Sequence, residues 1–159
     1  MRNDVDAMDA DEFIRLHGPA MRENLVHPDA DYEFRFADSV LRHVPNLDFA
    51  SVSYQVSVQR DDGRTARIDF VIDEGSGGAP LALEVDGYQK YDSGTREAGL
   101  KEHSESLARD RQLMILGFVT VHFSNHDVKH RPTELARQIE LILKRSRGAE
   151  WSRGESAEF

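Results

Sequence analysis

The chain has 159 residues, 39% hydrophobic and 31% charged, with a formal net charge of −9 and no cysteine. That length suits one domain with one core, and the missing cysteine excludes a disulfide framework, a zinc-thiolate site and a cysteine nucleophile. No run approaches the ~18 apolar residues of a membrane span, and the acidic start MRNDVDAMDADEF lacks a signal's apolar stretch, so a cytoplasmic protein without a membrane partner is expected.

Three segments are expected in chain order. Residues 1–28 form an acidic extension with a short helix over 11–26, broken at Gly18-Pro19 because proline disfavours helix for the residue before it. Residues 29–146 form the core domain, and residues 147–159 (RGAEWSRGESAEF, beginning at Arg147) have no apolar period and are expected to be disordered. Most of the acidic excess falls in residues 1–33, away from the rest of the chain. Acidity therefore lowers the expectation of nucleic-acid binding without cancelling it.

Within the core, Tyr32, Phe36, Val40 and Val44 recur at helical spacing with Leu41 alongside, which predicts a helix from Asp31 to about Val44. Asp29 or Asp31 is the expected N-cap, and Pro45-Asn46 stops the run. The period then drops to two in SVSYQVSVQ, where Val52, Tyr54, Val56 and Val58 alternate with polar residues. Asp61-Asp62-Gly63 reads as a hairpin turn into TARIDFVID, and EGSGGAP loops to LALEVDG, an apolar interior strand. A helix from about Ala98 to Leu116 with Gly117 as C-cap, the strand FVTVHF, and a last helix starting near Pro132 complete the order. The expected class is α/β (α+β), a central mixed four-stranded sheet flanked by helices.

Chemistry concentrates on two strands. Asp69 interrupts an apolar strand, where an unpaired carboxylate is costly. Glu84 and Asp86 stand two apart on the next strand and project from one face. Antiparallel pairing across residues 73–80 would bring Asp69 beside Glu84. A divalent cation is the usual reason to gather three carboxylates, and oxygen ligands favour Mg²⁺ or Mn²⁺ over zinc. The bland alternative is that Asp86-Gly87 merely ends a strand and Asp69 lies on a wet edge.

The segments RIDF, LALEVDGYQK and LARDRQLMILGFVTVHF together resemble the PD-(D/E)XK nuclease superfamily, in particular its very-short-patch-repair-like branch with an EVDG motif. The likeness runs from about Asp31 to Val128. It implies a restriction-endonuclease-like core with Asp69 as motif aspartate and Glu84 as second metal ligand. The backbone carbonyl of Val85 would complete a Mg²⁺ (or Mn²⁺) site. Glu33 matches a first-helix acid that supports the metal or its water, and Gln55 a polar residue of the first strand. Asp86 stands where the superfamily usually has lysine, so it would bind a second metal or orient water, with Lys90 as replacement cation or plain loop residue. Lys101, Arg109 and Arg111 would contact phosphates, although Arg109, Asp110 and Arg111 suit surface ion pairs equally. His122 occupies a position where relatives carry arginine.

The resemblance thus implies a metal-dependent endonuclease acting on nucleic acid, with DNA the expected substrate and a homodimer or partner chain supplying target recognition. Two other functions compete. One is a non-cleaving interaction module on the same fold, and the other is a small-molecule or metal-binding domain using these acids differently.

Overall fold

Alternating strands joined by a two-residue-type turn must pair antiparallel, and a strand that follows a long helix returns parallel. The computed structural model, which describes residues 7–23, 25, 30–75, 78–86 and 95–147, has that arrangement. Helix α1 (Ala10–Arg22) and helix α2 (Tyr32–Ser39) lead through short 3₁₀ turns to β1 (Val52–Gln59), β2 (Thr65–Ile72) and β3 (Leu81–Asp86). Helix α3 (Arg96–Ile115) crosses to β4 (Val119–Ser124), followed by α4 (Asn125–His130) and α5 (Pro132–Arg147). The sheet order is β1-β2-β3-β4, with β1, β2 and β3 antiparallel in turn and β4 parallel to β3. This is a mixed α/β fold with a four-stranded mixed sheet flanked by helices. Among the described residues no helix is long and apolar enough to cross a membrane.

Strand alternation divides the interior. Leu81, Leu83 and Val85 join Phe13 of α1, Phe36 of α2 and Ile139 of α5 in the large core, while Ala82 packs with Leu113 of α3. Among the described residues, α3 is therefore the helix packed on one face of the sheet, and α1, α2 and α5 cover the other. Phe13, Phe36 and Phe70 are fully buried, each worth about 1.5–3 kcal/mol of apolar transfer.

Several local expectations are corrected. Helix α1 runs unbroken through Gly18-Pro19 to Arg22. Pro19 is exposed, while Phe13, Gly18 and Met21 are buried. Phe13 and Met21 join the large core, so residues expected as an extension help build the domain. Helix α2 ends at Ser39, and Leu41–His43 continues as a 3₁₀ turn, yet Phe36, Val40, Leu41 and Val44 are all buried as the stripe requires. Asp31 is the N-cap but its side chain makes no capping bond, pairing instead with Arg35 at 3.0 Å. Asp29 lies outside the described residues, as does the tail beyond Arg147. Helix α4 was not expected. Its six residues carry one buried aliphatic side chain, Val128, and Ser124 caps it through the Asp127 N–H at 3.1 Å.

Gly117 ends α3 with φ 95° and nothing within 4 Å of an added Cβ. Gly117→Ala should therefore lower stability by about 1 kcal/mol through backbone strain alone, read as a shift in urea midpoint without a change in m-value.

Candidate active site

The β2–β3 ladder pairs Ile72 with Leu81, Val71 with Ala82 and Phe70 with Leu83, then stops. Asp69 stands at the break. Its Oδ2 accepts the Val85 N–H at 2.9 Å, so a side chain takes over a donor the ladder has released. Continuing the register sets Asp69 opposite Glu84, the juxtaposition expected of these two strands.

Strand β1 changes at the same level. Gln55 has φ 55°, and the ladder joins Tyr54 to Phe70 and Val56 to Ile68 but omits Gln55. Tyr54 and Phe70 belong to the large core and Val56 and Ile68 to the small one, so both strands pass their apolar side chains between layers here. A left-handed residue other than glycine costs about 1–2 kcal/mol. What that conformation accompanies is a grip on Glu33, in the first turn of α2. Gln55 Nε2 donates to Glu33 Oε1 at 2.7 Å, and the Tyr54 hydroxyl donates to Oε2.

Glu84 is only 2% exposed. Arg109 of α3 donates to its Oε1 at 2.5 Å and also to the Arg67 carbonyl. Burial, and then the neighbouring charge of Asp69, push Glu84 up to about 7, against the opposing pull of Arg109. Glu33 is likewise pushed up to about 7, first by burial and then by Asp69, while the Tyr54 bond works the other way. Tyr54 itself is raised by burial and by Glu33. Asp69 is thus the acid that both others feel.

These groups line a cleft of about 860 Å³. Met21, Leu25 and Tyr32 contribute from the α1–α2 side, Glu102, Glu105, Ser106 and Arg109 from α3, and Arg60, Arg64 and Arg67 from the β1–β2 hairpin.

Asp86 shares a face with Glu84 but does not line the cleft; His122 of β4 meets it through Nδ1 at 3.0 Å, while His122 Nε2 meets Asp110 of α3 at 2.8 Å. The Asp86 bond first and the Asp110 bond after it raise His122 to about 9, against its partial burial. Of the expected phosphate contacts, Lys101 and Arg111 are exposed on α3 without lining the cleft, and Arg109 lines it but is tied to Glu84. Lys90, with Tyr88 and Gln89, lies outside the described residues. The sequence reading missed Tyr54, Glu102 and the hairpin arginines. For the last there was a signal, since Arg60 and Arg64 flank the Asp61-Asp62-Gly63 turn and Arg67 stands two residues before Asp69.

The side-chain donors available to a cation are carboxylate oxygens, which suits Mg²⁺ or Mn²⁺; Val85, whose carbonyl is the expected further ligand, also lines the cleft, and Glu102 adds a buried Oε2 without a partner. Among the described residues, however, no group of three or more His, Asp or Glu side chains is arranged to hold a metal ion; Arg109 takes the place beside Glu84. The donor chemistry suits a hard divalent cation, while one Glu84 oxygen is already bonded to Arg109. The chain matches no family model, no curated protein and no solved structure.

Proposed function

We propose that the chain is a metal-dependent nuclease of PD-(D/E)XK type, with a restriction-endonuclease-like core, that hydrolyses phosphodiester bonds in DNA. The observation that carries this reading is the crowding of Glu33 and Glu84 around Asp69 at a break in the sheet, inside a cleft. Neighbouring carboxylates held up to about 7 by burial and by the Asp69 charge are a site that a cation would further stabilise, as expected where a cation and an anionic substrate belong. The order of elements supports it too, since a helix with Glu33, a strand with Asp69, a strand with Glu84, a helix with Arg109-Asp110 and a closing strand follow the order of the motif segments.

Asp69 and Glu84 would hold the cation. When bound, it would neutralise the scissile phosphate and acidify a water. Glu33, fixed by Tyr54 and Gln55 and titrating at about 7, is suited to take a proton from an attacking water near neutral pH. Arg109, released from Glu84, would stand beside the charge that develops on the phosphate. Asp86 is left out of this set because His122 engages it.

The test is cleavage of supercoiled plasmid and of single-stranded DNA and RNA with Mg²⁺ or Mn²⁺, beside thermal melts. Cleavage that stops with EDTA is expected. So is a metal-induced rise in Tm at pH 8, where Glu33 and Glu84 are ionised, that shrinks at pH 5.5, where both are protonated. No cutting of any substrate together with no metal effect on Tm would overturn the reading. A second reading, a domain of this fold that binds without cleaving, is favoured by Arg109, which already neutralises Glu84 from within. It predicts oligonucleotide binding with no metal effect on Tm.

A further inference from the structure

The β1–β2 hairpin brings three guanidinium groups to the cleft, from Arg60, Arg64 and Arg67. Arg64 and Arg67 are exposed. Among the described residues neither side chain has an ion-pair partner, and Arg67 acts on Glu33 only through its charge. Arg60 differs. Its side chain is only 8% exposed, one terminal nitrogen meets Asp62 at 2.6 Å, and its Nε is buried without a partner. Several other arginines of the fold are spent on carboxylates, as Arg42 on Asp11 and Asp38 or Arg147 on Glu74. Arg64 and Arg67 instead bring positive charge without an ion-pair partner among the described residues to a cleft that acids also line.

A buried guanidinium with an idle donor is expensive unless something completes it. Arginine presents a planar fork of donors that matches phosphate oxygens. Arg67 also lies two residues before Asp69, so a phosphate held there would sit at the edge of the carboxylate cluster. Lys101 and Arg111 are exposed on α3 but do not line the cleft.

We propose that Arg64 and Arg67, backed by Arg60, bind the phosphodiester backbone of the strand presented to the carboxylates. This rests on the nuclease reading and adds to it the surface that holds the substrate. The hairpin is the positioning arm, and α3 contributes acids and Arg109 rather than the main phosphate grip.

The experiment is fluorescence anisotropy of a labelled single-stranded oligonucleotide and its duplex, in EDTA, with the full chain. Wild type is compared with Arg64→Ala/Arg67→Ala and with Arg64→Lys/Arg67→Lys, each checked by circular dichroism and Tm. Both positions are exposed, so the fold should persist. The alanine pair should bind about tenfold or more weakly at moderate salt, and the slope of log K against log salt should flatten by about 1.4 on single strands as two phosphate contacts are lost. The lysine pair should keep most of that slope. Wild-type affinity and slope in the alanine pair would overturn the proposal, as would a wild type that binds a nucleoside monophosphate but no oligonucleotide. Weakened binding in a protein that never cleaves and shows no metal effect on Tm would uphold the arm and sink the nuclease reading. Unchanged binding in a protein that does cleave would do the reverse.

Discussion

Asp69→Asn should reduce metal-dependent cleavage by about 10²–10³-fold, the loss typical of removing one preorganised electrostatic stabiliser, and should at the same time raise the Tm of the metal-free protein above pH 7. The second effect follows from linkage. Glu33 and Glu84 titrate at about 7 in the folded chain, against about 4.3 for an unperturbed glutamate. A folded pKa raised above the unfolded one contributes stability that is fully present below the unfolded value and is lost as pH rises through the folded one. At pH 8 the wild-type cluster is therefore under strain. Burial is the larger cause of both shifts and survives the substitution; the Asp69 charge is the part removed, so the gain should be about 1 kcal/mol. Asn retains a side-chain oxygen for the Val85 N–H. Glu84→Gln gives the contrasting result, with cleavage lost equally but no gain in Tm, because Arg109 then faces an amide in a buried site. Full cleavage by Asp69→Asn would place the chemistry elsewhere. A fall in Tm with cleavage retained would make Asp69 a strand-capping residue and nothing more.

Sequence patterning carried the sheet because its physics is local. The period of two in β1, the Gly63 turn, the mostly apolar LALEV and the stop at Gly117 each follow from residue chemistry within a few positions, and each stands where expected. The meeting of Asp69 and Glu84 was legible for the same reason, since a hairpin of known register needs no tertiary information. What could not be read depends on partners distant in sequence. Pro19 stays helical because Phe13, Gly18 and Met21 hold α1 to the core, a tertiary contact that outweighs a local preference. Asp86 and Glu84 look alike on their strand, and only the arrival of His122 and Asp110 from two other elements gives them different fates. Arg109 likewise looks like any helix-surface cation until α3 is laid across the sheet. Gln55 shows the limit most sharply. Its pattern reads as an ordinary outward strand residue, whereas its positive φ accompanies the interruption at which Glu33 is gripped.

The Asp86–His122–Asp110 bridge yields the other large expected effect. His122→Ala should lower stability by about 1–3 kcal/mol, toward the lower end because each side chain keeps between 16% and 27% exposure and water screens the charges. The loss has two sources. Asp86 of β3 and Asp110 of α3 lose the imidazolium that lies between them, and α3, which rests on the sheet with Leu113 as its one buried residue, loses a polar anchor. The pH dependence fixes the mechanism. His122 is raised from the usual 6.5 to about 9, so its contribution is fully present below pH 6.5 and is lost as pH rises through 9. Wild-type Tm should decline across that window, and the His122→Ala profile should be flatter there. Asp110→Asn should show a smaller decline, since one of the two carboxylates holding the imidazolium is gone. Because Arg109 is the neighbour of Asp110, displacing α3 should also disturb the Arg109 contact with Glu84, so His122→Ala is expected to lose cleavage beyond its loss of folded protein. A His122→Ala protein that melts like wild type at pH 6.5 would show that α3 is held by packing alone and that the bridge stabilises nothing.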